Sequence, residues 1–117
     1  MNDLSAEAIL AYEPMWSKVA DKDEVTEGSI KCVTLAGKKI LLTRYDNTFY
    51  ACGAICPHQG ISMEHGLVFD EEITCPEHSW VFSLKTGELT WPGSGPRIPT
   101  YPVRIAGVDL EVDVEES

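Results

Sequence analysis

An all-β chain is predicted here: an antiparallel sandwich or barrel base with a small ligand-bearing lobe inserted into it. Three observations in the sequence carry that prediction. Short β-rich runs separated by turn residues occupy both ends of the body. No segment shows the sustained 3.6-residue apolar spacing of a long helix. Between the β-rich runs, residues 54–96 are enriched in Gly, Pro, Cys and His.

Taken in order, residues 1–15 form an extension and 16–117 the body. Ser5 is suited to cap a short helix over 6–11, which Pro14 ends. Trp16-Ser17-Lys18-Val19 opens the first strand. The runs 29–35 and 39–45 read as a hairpin joined at Ala36-Gly37-Lys38. Asp46-Asn47 makes the next turn and 48–51 returns as a strand. Inside the lobe, 66–69 and 72–75 pair around Asp70-Glu71, and 80–84 adds a third strand that ends at Thr86-Gly87. Finally 101–105 and 108–114 flank Ala106-Gly107. In the last run Val108, Leu110, Val112 and Val114 alternate with Asp109, Glu111, Asp113 and Glu115, predicting one buried and one wet acidic face.

At 117 residues the chain is one domain, able to bury roughly 65% of the surface it exposes when unfolded. Its formal charge of −10 argues against nucleic acid, whose binding needs a basic footprint. The same charge suits docking on basic protein surfaces, or simple solubility. No apolar run approaches the ~18–20 residues that span a bilayer. The acidic N-terminus lacks the basic start and apolar stretch of a secretory signal, so a cytoplasmic location is expected. The four cysteines, at 32, 52, 56 and 75, form no evident disulfide framework.

The chemistry concentrates in Cys56-Pro57-His58 and, after sixteen residues, Cys75-Pro76-Glu77-His78. Each arm offers one thiolate and one imidazole. A [2Fe–2S] cluster with Cys on one iron and His on the other takes this stoichiometry. A C-x-H arm cannot be presented by a helix, so it belongs on a loop, where Pro57 restricts the backbone and Gly60 lets it turn closely. Pro76 plays the corresponding part in the second arm. Backbone N–H groups from His58 through Gln59 to Gly60, and from His78 through Ser79 to Trp80, are placed to donate to sulfur. Structural zinc also takes Cys₂His₂, but the C-x-H spacing is unusual for it and no helix follows to carry a second pair. Cys52 and Cys32 read as small buried strand residues, and His65, before a turn, as solvated.

These arms closely resemble those of Rieske-type [2Fe–2S] proteins. Over 16–114 the layout is similar to the small Rieske ferredoxins of bacterial aromatic-ring oxygenase systems. Cys56-Pro57-His58-Gln59 and His78-Ser79-Trp80-Val81-Phe82 look most like the ferredoxins serving toluene-type diiron monooxygenases, with those of ring-hydroxylating dioxygenases next. The resemblance implies one cluster held by Cys56, His58, Cys75 and His78, with the electron localising on the His-bound iron. It implies that Gln59, Gly60, Ser79, Trp80 and Pro96 surround the cluster, Pro92, Gly95 and Pro96 belonging to a segment that shields it. The implied function is a monomeric carrier passing single electrons from a flavin-containing, NADH-dependent reductase to a terminal oxygenase, without catalysing a reaction itself. No nucleotide-binding glycine fingerprint appears in the chain. A redox-regulatory Rieske domain, or a subunit bound permanently within another oxidoreductase, would carry the same motifs.

Respiratory Rieske proteins carry an extra disulfide between their ligand loops; Ile61 and Glu77 stand at those positions here. Where those proteins place hydroxyl donors, this chain has Trp80 and Phe82. Fewer donors stabilise the reduced state less, so a midpoint on the order of −150 mV is expected from an EPR-monitored redox titration. A value well above zero contradicts it, and a colourless, iron-free protein with stoichiometric zinc would establish the zinc reading.

Overall fold

Three tight turns set the registers. In the computed structural model, which describes residues 15–57, 60–77 and 80–114, Ala36-Gly37, Asp46-Asn47 and Asp70-Glu71 all have positive φ at both positions, between 52° and 76°. That is the backbone of the two-residue turn whose twist matches flanking antiparallel strands. Each turn closes a hairpin in the expected place: β2 (Ile30–Leu35) with β3 (Lys38–Tyr45), β3 with β4 (Thr48–Gly53), and β7 (Leu67–Phe69) with β8 (Glu72–Thr74). The helix expected over 6–11 lies outside the described residues.

The remaining strands are β1 (Trp16–Asp21), β5 (Ile55–Cys56), β6 (Ile61–Ser62), β9 (Val81–Ser83), β10 (Leu89–Trp91), β11 (Thr100–Tyr101), β12 (Val103–Ala106) and β13 (Asp109–Asp113). They form four antiparallel sheets with orders β1-β13-β12, β11-β4-β3-β2, β10-β9-β8-β7 and β5-β6. No α-helix occurs among the described residues, so the all-β expectation holds. The two larger-range sheets make the base, and the other two are built wholly from residues 55–91.

β3 and β4 are buried on both faces. Ile40, Leu42 and Ala51 join Leu110, Val112 and Tyr101 in one apolar cluster between the base sheets. Their neighbours Leu41 and Cys52, a directly opposed cross-strand pair, join Met63, Ile73, Phe82, Cys56 and Cys75 in a second cluster under the small sheets. A strand covered on both sides reads as a continuous apolar run, which is why Ile40-Leu41-Leu42 does not alternate. Thr43 follows in the same strand, fully buried, and its hydroxyl donates to the Ser29 carbonyl at 2.6 Å.

Backbone and side-chain bonds fasten the small sheets to the base. Ala54 N–H donates to Lys39 O at 3.1 Å, Met63 N–H to Ala54 O at 2.7 Å, and Gly53 N–H to Pro99 O at 2.9 Å. The Tyr50 hydroxyl donates to the Glu71 carboxylate at the β7–β8 turn. Burial, reinforced by that bond to a carboxylate, pushes the Tyr50 phenol up to about 12.

Several boundaries differ from expectation. Lys38 belongs to β3, opposite Leu35, because the Ala36-Gly37 turn needs only two residues. The strand expected at 101–105 breaks at Pro102, which has no N–H for a ladder, and the chain changes sheets there. The last turn is Gly107-Val108, with Ala106 opposite Asp109, so Val108 sits at an exposed corner, outside the buried face. Asp113 is 1% exposed although its parity is that of the wet face. It lies opposite Trp16, and alternation assigns a face without saying what covers it. β5, β6 and β10 were not expected at all.

Leu41→Ala is expected to cost about 2–5 kcal/mol in denaturant unfolding, since it empties space between the base and the small sheets. Tyr50→Phe should flatten alkaline unfolding. The neutral phenol's contribution is complete below its ordinary value of 10.0 and is lost as pH rises toward about 12. Equal alkaline sensitivity in both proteins would remove that role.

Candidate metal centre

Both ligand arms are loops pinned at their bases by backbone hydrogen bonds. In the first, Cys56 pairs with Ile61 across the β5–β6 ladder, and Gly60 N–H donates to Cys56 O at 2.9 Å. Gly60 adopts φ +72°, where a side chain would strain the turn. In the second, Cys75 N–H donates to Trp80 O at 2.8 Å. Gly66 makes room for this base: a Cβ there would sit 2.2 Å from the Thr74 carbonyl oxygen.

These closures place Cys56 and Cys75, 0% and 1% exposed, in the same apolar cluster, with Met63, Ile73 and Phe82 beside them. Pro57, Gly60, Pro76 and Glu77 are exposed in the turns. His58, Gln59, His78 and Ser79 lie outside the described residues. None of the four cysteines forms a disulfide. Two buried thiols at the feet of two adjacent-sequence Cys/His arms fit a [2Fe–2S] cluster with mixed ligation. Among the described residues, no group of three or more His, Cys, Asp or Glu side chains offers a competing metal site.

The other expected positions divide. Cys52 is fully buried in β4, where burial pushes its thiol up to about 12, and it has no Cys/His arm around it. Cys32 is half-buried in β2, its thiol likewise raised by burial. His65 is exposed. Trp80 is half-buried, its ring centroid 6.4 Å from that of Phe82. Pro92, Gly95 and Pro96 lie in a bent segment, with both prolines exposed and Gly95 so close to Leu89 that a Cβ would fall 2.7 Å from its Cδ2. The Gly60 N–H, expected to serve cluster sulfur, is used by the Cys56 carbonyl instead. Sequence reasoning missed the β5–β6 ladder. Its only trace is a β-branched residue on each side of the first arm, Ile55 and Ile61.

The family model for the Rieske [2Fe-2S] domain matches residues 15–102. The ferredoxin component of the naphthalene 1,2-dioxygenase system of Pseudomonas aeruginosa is 31% identical over 99 residues, covering 85% of this chain and 95% of that protein. The ferredoxin component of the alkene monooxygenase system of Xanthobacter autotrophicus is 28% identical over 94 residues, 80% of this chain and 76% of its own length. Among solved structures, the ferredoxin of carbazole 1,9a-dioxygenase from Nocardioides aromaticivorans IC177 superimposes with a TM-score of 0.76. It is 26% identical, and the match covers 83% of this chain and 95% of that one.

Cys56→Ala and Cys75→Ala are expected to abolish bound iron and acid-labile sulfide. Cys52→Ala, Cys32→Ala and His65→Ala should retain both, with the visible spectrum unchanged.

Proposed function

The chain belongs to the Rieske [2Fe-2S] family, and on that premise we propose that it is a ferredoxin carrying single electrons from an NADH-dependent flavin reductase to an aromatic-ring oxygenase. The observation that carries this reading is the burial of Cys56 and Cys75 at the pinned feet of two Cys/His arms. Membership in the family indicates a [2Fe–2S] cluster, and Cys56, His58, Cys75 and His78 are the residues that would hold it. Such a cluster, when bound, stores one electron at a potential raised by replacing two thiolates with neutral imidazoles.

The chain's own residues prepare that site. Met63, Ile73 and Phe82 exclude water from the cysteine side. The ladder at Cys56–Ile61 and the bond from Cys75 to Trp80 fix the two loop bases. In this reading Trp80 tunes the potential or the exchange rate, and the segment with Pro92, Gly95 and Pro96 shields the cluster from solvent.

The relatives named above are ferredoxin components of oxygenase systems, which supports a terminal oxygenase as the electron acceptor and a separate reductase as donor. Within that class the arms Cys56-Pro57-His58-Gln59 and His78-Ser79-Trp80-Val81-Phe82 favour a toluene-type diiron monooxygenase. The carrier works as a cytoplasmic monomer. Among the described residues, no helix is long and apolar enough to cross a membrane.

Reconstituted turnover tests the proposal: a flavin reductase with a diiron monooxygenase or a ring-hydroxylating dioxygenase, run with and without this protein. Turnover should require it and weaken as ionic strength rises, since a chain of charge −10 is guided to basic surfaces. Equal turnover without it would reject the assignment. Trp80→Ala should shift midpoint or turnover while keeping iron.

A further inference from the structure

The four-stranded sheet β10-β9-β8-β7 has one face accounted for and one that is not. Its registers align Val68, Ile73, Phe82 and Leu89 in a row across all four strands. All four are buried, at 8%, 0%, 0% and 8% exposure, in the cluster that holds Cys56 and Cys75. The neighbouring row on the opposite face is Leu67, Thr74, Val81 and Trp91, again partnered strand by strand. Here the two ends are open to solvent, Leu67 at 68% and Trp91 at 57%. Trp91 reaches this row through a bulge: Thr90 is the extra residue, its hydroxyl donating to the Val81 carbonyl at 3.1 Å. Phe69, 71% exposed, stands beside Leu67 on the same face, touching only Tyr45 edge-on among described rings.

The position of this row is specific. Thr74 directly precedes Cys75, and Val81 directly follows Trp80, whose carbonyl receives the Cys75 N–H. Its two central residues therefore each lie one residue from the base of the second ligand loop. Carboxylates flank the row on both sides, with Asp70 and Glu72 toward the turn and exposed Glu77 in the ligand loop. Exposed apolar ends with an acidic border fit a basic-bordered apolar surface. A second copy would oppose carboxylates to carboxylates, in a chain already at −10.

We propose that the outer face of the β7–β10 sheet, centred on Leu67, Thr74, Val81 and Trp91, is where this chain receives a redox partner whose own contact has an apolar centre bordered by lysine or arginine. The proposal rests on the electron-carrier reading and adds a docking surface to it. Its acidic border makes the encounter salt-sensitive.

The test uses the holoprotein, its cluster verified by iron, acid-labile sulfide and EPR, with a lysine-ringed cytochrome c as the probe acceptor in stopped-flow. The Leu67→Ser/Trp91→Ser variant should reduce the probe about tenfold more slowly than the parent at unchanged midpoint potential. Val108→Ser, at an exposed apolar position on the base, should match the parent. Asp70→Asn/Glu72→Gln should lessen the salt dependence. Amide-shift mapping of the unmodified holoprotein with redox-inert zinc cytochrome c should perturb residues 67, 74, 81 and 91. Rates within about twofold of the parent, or a map that leaves this row untouched, would overturn the proposal. So would sedimentation showing a dimer that Trp91→Ser dissolves. A protein without a cluster would instead defeat the carrier reading, which keeps the two failures distinct.

Discussion

The cross-strand pair of Leu41 and Cys52 holds this molecule together. It sits in the middle of a two-sided hairpin, with Ile40, Leu42 and Ala51 turned into the base and Leu41 and Cys52 turned toward Cys56 and Cys75. Burying a leucine is worth about 1.5–3 kcal/mol, and here that energy couples the cysteine-bearing loops to the rigid part of the fold. Each is closed locally and then set on an apolar floor that β3 and β4 supply.

That arrangement also separates tasks. Cys56 and Cys75 reside on the dry side, whereas Pro57, Gly60, Pro76 and Glu77 occupy exposed turns at the same end. Cys52 and Cys32 have no arm around them, and burial raises both thiols.

Much of this was legible in the residues. Asp46-Asn47 announced its turn, because Asp and Asn side chains tolerate positive φ, and Asp70 does the same at the first position of the β7–β8 turn. The Cys/His spacing announced the chemistry. The misses share a cause. β5 and β6 are two residues each, too short for any period to show, and they exist because the first loop closes on itself. Pro102 was read through as part of a strand, although a residue without an N–H is where a chain can leave one ladder for another. Asp113 followed the correct parity but not the expected exposure, since coverage is a tertiary property. Val108 failed for the opposite reason: moving the turn by one residue carried it from a strand face to a corner.

The neck of the small sheets has one more implication. The chain leaves the base at the end of β4 and re-enters it at β11, and these two ends are hydrogen-bonded neighbours, with Cys52 opposite Thr100 and Gly53 N–H on Pro99 O at 2.9 Å. Everything between them is a loop already zipped shut at its root. Lengthening that excursion changes the closure entropy by only about 0.6 kcal/mol per doubling, so its exposed turns can grow while the packed floor beneath them stays unaltered.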